Sequence, residues 1–236
     1  MRQALVIAKR EFSAYFKSPI AYIVVGLFLV FAGFLFFDGF FLRGQATMDA
    51  FFGWMPVLFL FFGPGIAMRL LAEERGTGTI EMLLTMPVRD WEVVVGKYLA
   101  ALGLLTIGIV LTLPFALTVA KLGPLDWGPV IGGYAGSILL GGTYLAIGLL
   151  ASAFTKNQLV ALIIGAVTCL AAFLLGNFVS VAGSTIGPII EYASPQYHFE
   201  KIARGVIELR NVIYYTTTIA VLLLLSVQVL AARKWR

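Results

Sequence analysis

The chain has 236 residues, of which 60% are hydrophobic and 12% charged, with a net charge of +5 and a mean hydropathy of +0.95. A water-soluble domain carries about 25% charged residues, so a soluble fold is excluded for most of this surface and lipid must be its solvent. The single Cys169, inside an apolar run, excludes a disulfide framework; basic residues gathered at the ends of apolar runs read as membrane topology and not as a nucleic-acid surface.

In chain order, residues 1–18 come first. Leu5, Ala8, Phe12, Tyr15 and Phe16 recur at helical spacing, with Arg2, Lys9, Arg10 and Lys17 on the neighbouring face. That pattern fits an amphipathic helix lying in the membrane interface; a plain basic topogenic tail is the alternative. The basic stretch is too long for a cleavable leader and no small-x-small site precedes a polar start, so the N-terminus is read as retained. Ser18-Pro19 ends the helix and turns the chain into the bilayer.

A crossing needs about 20 apolar residues. Six segments qualify: Ile20–Leu42, Phe51–Ala72, Tyr98–Ala120, Val130–Ala153, Gln158–Val181 and Val212–Ala232. Lipid cannot satisfy the backbone of an open sheet, so all six read as helices. The expected fold is an all-α integral membrane protein, one transmembrane domain over 1–236 without internal repeat. Pro56 and Gly63-Pro64-Gly65 predict a kink in the second span. In the fourth, Gly133, Ser137 and Gly141 recur every four residues, continued by Gly148 and Ser152. Such a stripe is a close-packing face, within one subunit or at a dimer seam.

Lys and Arg counts set the orientation. With both termini cytoplasmic, the inner side carries Arg2, Lys9, Arg10, Lys17, Arg69, Arg75, Arg89, Lys97, Lys156, Arg233, Lys234 and Arg236. The outer side carries only Arg43, Lys121, Lys201, Arg204 and Arg210. The positive-inside bias therefore places both termini in the cytoplasm.

The cytoplasmic loop 73–97 is dense with signals. Glu73, Glu74 and Arg75 leave the membrane, Gly76 and Gly78 break the helix around Thr77, Thr79 caps a new short helix and Pro87 ends it. Ile80, Leu83 and Leu84 would share one side of that helix, with Glu81 on the other, and Trp91 marks the return to the interface. Such a helix suits a cytoplasmic partner, its apolar face filling a groove and its charges setting orientation; an ordinary solvated loop is the other reading. The run Glu73, Glu74, Arg75, Gly78, Thr79, Glu81, Leu83, Leu84, Thr85, Pro87, Val88, Gly96, Lys97 resembles the cytoplasmic loop of type-two ABC exporter permeases. The resemblance implies that this loop carries the helix contacting the nucleotide-binding subunit, with Glu73, Glu74, Arg75, Thr79, Glu81, Leu84 and Pro87 as coupling residues. It also implies a bacterial cytoplasmic membrane.

The outer loop 182–211 contains Ser194-Pro195, an N-cap followed by proline at the first helical position. Phe199, Ile202, Ala203, Val206 and Leu209 follow at helical spacing, and Glu200–Arg204 and Arg204–Glu208 make i,i+4 pairs. A short amphipathic or re-entrant helix is expected. Ser194, Pro195, His198, Phe199, Arg204, Gly205, Val206, Ile207, Leu209, Arg210 and Tyr214 resemble the outer loop of the gliding-motility-type branch of these permeases, with Asn211 standing where an acid is expected. The lone His198 reads as a hydrogen-bonded residue and not a metal ligand, because no further ligands accompany it.

No G-x-x-x-x-G-K-[ST] phosphate loop and no H-E-x-x-H zinc motif occurs. The chain is therefore read as a non-enzyme without bound cofactor, ATP and Mg belonging to a separate ATPase subunit. Asp38 and Arg69 lie near span ends, which weakens an ion-coupled carrier. The expected partners are a dimer of cytoplasmic ABC ATPase subunits, a second permease copy or paralogue, and membrane lipid. A non-transporting anchor that transmits force within an envelope complex is the alternative.

Overall fold

The computed structural model describes residues 2–43, 47–78, 89–177 and 191–232. Among them the chain is all-α. The helices are α1 (Arg2–Lys17), α2 (Pro19–Arg43), α3 (Asp49–Ala67), α4 (Arg69–Thr77), α5 (Asp90–Val110), α6 (Leu113–Leu122), α7 (Trp127–Phe154), α8 (Gln158–Asn177), α9 (Pro195–Ala203) and α10 (Leu209–Ala231). Six stretches are long and apolar enough to cross a membrane: Pro19–Phe37, Asp49–Thr77, Asp90–Leu122, Trp127–Phe154, Gln158–Gly176 and Leu209–Ala231. These are the six expected crossings, with shifted ends.

Helix α7 is the axis of the bundle. Of its apolar window 78% is buried, against 17% for α8 and 11% for α10. Its missing side chains explain the closeness of its neighbours. A Cβ on Gly133 would enter the Phe52 ring, and one on Gly141 would come 2.5 Å from Leu105 Cδ2. On Gly148 it would come 2.7 Å from Ala67 Cβ. Ser137 is fully buried and spends its hydroxyl on Gly133 O at 2.7 Å. The small-residue face of α7 thus meets α3 and α5 of the same chain. The outward faces of α8 and α10 present Leu159, Ile163, Val167, Val221 and Leu224, side chains that suit hydrocarbon.

Two of the spans are each divided between two helices. Helix α3 runs through Pro56 and Pro64 and ends only at Ala67. The second break was not anticipated: α5 ends at Val110 and α6 restarts with Pro114 near its N-terminus. Proline supplies no N–H and its ring crowds the carbonyl four residues back. Thr112 Oγ1 donates to Ile109 O at 2.6 Å and lies 3.1 Å from Tyr134 Oη, filling the junction with polar contacts.

The face of α1 is also offset from its expected position. Ala4 is buried, whereas Leu5 is 63% exposed. The packed face comprises Ala4, Ile7, Phe12, Tyr15 and Phe16 and brings Glu11 inward. Ser18-Pro19 separates α1 from α2, as expected.

Candidate coupling site

The second span passes into α4 through Met68, whose φ −55° and ψ −30° remain helical. The interruption lies in the hydrogen-bond ladder and has a foreign cause. Ser152 Oγ accepts from Leu71 N at 3.1 Å and Ala72 N at 2.8 Å, and donates to Met68 O at 3.0 Å. A side chain inserted into the i→i−4 ladder is an established cause of helix irregularity. Ser152 comes from the last turn of α7, so the axis helix pins the second span where it turns polar.

Next along α4, the buried Arg75 donates from Nη1 to Ala153 O. That carbonyl is one of the orphans at the C-terminus of α7, where a cation is favourable. A Cβ on Gly76 would lie 2.9 Å from Lys156 O, so α4 passes directly over the turn between α7 and α8. Gly76 therefore lies within the helix instead of breaking it. Gly78 does break it: φ is +75°, the left-handed conformation that terminates helices.

The chain returns at α5. Glu92 Oε2 accepts from Arg89 N at 3.3 Å at its start. One turn on, a Cβ at Gly96 would lie 2.8 Å from Ala4 O and 2.9 Å from Ile7 Cβ. Only glycine admits α1 this closely. The adjacent Lys97, with 3% of its side chain exposed, reaches Glu74 Oε1 at 2.7 Å and Glu11 Oε1 at 3.6 Å. A single buried ammonium thus ties α1, α4 and α5 together. Arg69 grips Glu73 with Nε and Nη2 at 2.8 and 2.9 Å. A cavity of about 360 Å³ opens beside these pairs, and burial pushes the Tyr15 phenol at its edge above its ordinary pKa.

Of the sequence-predicted coupling residues, Glu73, Glu74 and Arg75 stand on successive positions of α4. Thr79, Glu81, Leu84 and Pro87, and with them the expected short helix, lie outside the described residues. Sequence reasoning missed Ser152, Glu11 and Lys97 as partners. The Gly96-Lys97 pair was visible as a motif, but its function as socket and tie needed α1 in place.

At the opposite end of the bundle, Pro195 opens α9, as expected. Ser194, however, makes no side-chain cap, and its buried hydroxyl lacks a hydrogen-bond partner. The paired charges also differ from expectation. Helix α9 stops at Ala203, Gly205 turns at φ +88°, and Glu200 accepts from Gln196 Nε2 at 2.9 Å. A Cβ on Gly205 would lie 3.0 Å from Pro129 N, which fixes Arg204-Gly205 over the start of α7. Phe199 is buried against Gly136.

His198 is fully buried and stacked on Tyr214 with centroids 3.9 Å apart. Its Nε2–H donates to Tyr192 O at 2.9 Å, and Nδ1 lies 2.7 Å from Asn211 Oδ1. The Tyr192 carbonyl can only accept, so Nε2 carries a proton, and a neutral ring then needs the Asn211 amide turned so that its NH2, otherwise without a partner, donates to Nδ1. Tyr214 and Tyr215 donate to Ala193 O and Pro195 O at 2.6 and 2.5 Å. The segment is a locked aromatic plug joining α9 to α10. Asn211, the departure from the expected acid, is the residue facing His198.

Six crossings around a small-residue axis define a multi-pass membrane protein. Residues 37–230 match the model of the family described as ABC-2 family transporter protein, and the chain belongs to that family. No curated protein matches it significantly. Membership makes the chain a permease subunit of an ABC transporter and implies partnership with an ABC ATPase in general.

Proposed function

We propose that the chain is the membrane subunit of an ATP-driven exporter, of the gliding-motility-type branch, in a bacterial cytoplasmic membrane with both termini inside. Two copies, or this chain and a paralogue, enclose the path, and a pair of ATPase subunits supplies ATP and Mg. The chain itself binds no nucleotide. Residues 73–97 receive the ATPase, with Glu73, Glu74, Arg75, Thr79, Glu81, Leu84 and Pro87 as the coupling set.

The observation that supports this reading best is the bracing of both ends of that loop. Arg75 and Ser152 fasten its entry to α7, and Lys97 fastens its exit to Glu74 and Glu11. A push on residues 79–88 would reach packed helices and not a slack tether, as rigid-body switching requires. The test is the ATPase activity of the reconstituted complex. Glu81→Ala is expected to leave the complex folded and uncouple hydrolysis from transport. Full coupled activity in that variant would remove Glu81 from the set, and hydrolysis indifferent to the membrane chain would favour the force-transmitting anchor.

A further inference from the structure

We propose that the cavity between α1, the start of α2, α4 and α5 binds the headgroup of a zwitterionic phospholipid carrying a primary ammonium, of the phosphatidylethanolamine type. At about 360 Å³ it falls in the range of roughly 300–1,000 Å³ typical of small-ligand sites. Its wall is mixed in a way that suits an amphiphile. Glu11, Arg69 and Glu73 face it beside the apolar Ala14, Ile20 and Leu70.

The charge pattern selects the headgroup. Glu74 and Lys97 also line the cavity, and Arg10, outside the lining, holds Glu11 Oε1 at 2.9 Å, so three carboxylates stand against three cations and the wall suits a headgroup that itself carries both charges. An ammonium offers three N–H donors to carboxylate oxygens, whereas a trimethylated choline offers none. Arg69 spends Nε and Nη2 on Glu73; the remaining N–H groups of its fork serve a phosphate oxygen.

The surface leading away from the cavity selects the tails. Ile20 lines the cavity, and the same face of α2 continues through Ile23, Leu27, Phe31 and Phe34, exposed by 57%, 48%, 51% and 69%. Spacings of three and four residues hold this stripe on one side of the helix. A charged pocket at the head of an exposed apolar stripe is the shape of a membrane lipid. This assignment does not depend on the ATPase coupling proposed above.

The test uses the full chain, purified in detergent and depleted of lipid. Palmitoyl-oleoyl phosphatidylethanolamine, phosphatidylcholine and phosphatidylglycerol are added in turn, and bound lipid is counted by native mass spectrometry. One phosphatidylethanolamine per chain is expected, held roughly tenfold more tightly than phosphatidylcholine, the scale of a charge-assisted hydrogen bond. Glu73→Gln removes an ammonium partner and Ala14→Phe fills the cavity from an exposed position on α1; each is expected to abolish the preference. Equal retention of the two lipids, or a preference surviving both variants, overturns the proposal. Competition by free phosphoethanolamine at the lipid's own concentration would overturn the lipid assignment in favour of a soluble amine. Absence of lipid, with Glu73 shielded from carboxylate labelling only when the ATPase is bound, would overturn it in favour of a basic side chain of that partner.

Discussion

Lys97 and Glu74 meet at 2.7 Å across 23 residues of sequence, and between them lies the segment that would face the ATPase. Because the ammonium also stands 3.6 Å from Glu11, it sets the position of α1 as well. Removing one partner of a buried pair leaves a stranded charge at a cost of about 3–5 kcal/mol; with Glu74 and Glu11 each about one-fifth exposed, the lower end applies. Lys97→Met is expected to lower the thermal unfolding midpoint in detergent and to open α1 to proteolysis near Phe12. Adding Glu74→Gln should restore part of the loss, and additive losses in the double variant would refute the pairing.

Ser152 is the second pin. Ser152→Ala strips the acceptor from Leu71 N and Ala72 N, two donors in a buried segment. Leaving such groups unpaired costs about 1–3 kcal/mol. Hydrogen exchange should quicken at Leu71 and Ala72 while the amides of α9 keep their protection. Unchanged exchange at those two amides would mean that the ladder closes without the serine.

Gly205 tests the opposite end. Its φ of +88° disfavours any side chain, at about 1–2 kcal/mol for a left-handed conformation, and a Cβ would also crowd Gly128 C and Pro129 N at 3.0 Å. Gly205→Ala should therefore destabilise the protein by more than the conformational term alone. A midpoint equal to that of the parent protein would contradict the contact.

His198→Phe separates stacking from hydrogen bonding. Phenylalanine can keep the face against Tyr214 but strands Tyr192 O and the Asn211 amide. A loss of about 1–3 kcal/mol is expected, and His198→Gln should recover part of it. If His198→Phe is neutral, the ring acts as packing alone.

The sequence made some of this architecture legible and concealed the rest for physical reasons. Spans announce themselves because hydrocarbon demands about 20 apolar residues in a row, and Pro19 and Pro195 mark helix starts because their φ and missing N–H suit the first turn. The interruption at Met68 was invisible because a serine 84 residues away causes it. Pro64, the local signal, lies inside α3, before its end at Ala67. The offset of α1 had a similar source: Leu5 is more apolar than Ala4, but Gly96 admits the Ala4 carbonyl and the Ile7 side chain, and Leu5 is left outward. Ser194 carried a cap signal that burial beside Gly176 left unused, since its Oγ would lie 2.9 Å from a Cβ there. Local chemistry was readable, and residue pairs distant in sequence were not.

The most direct test of the central claim is co-purification of the full chain, from its native membrane in mild detergent, with the ATPase it is proposed to dock. The account predicts recovery of a phosphate-loop ATPase with the parent protein, and its loss with a Glu81→Ala, Leu84→Ala double variant that still unfolds at the parent temperature. Recovery undiminished in that folded double variant, or no ATPase with the parent protein, would contradict the claim that residues 73–97 receive the motor.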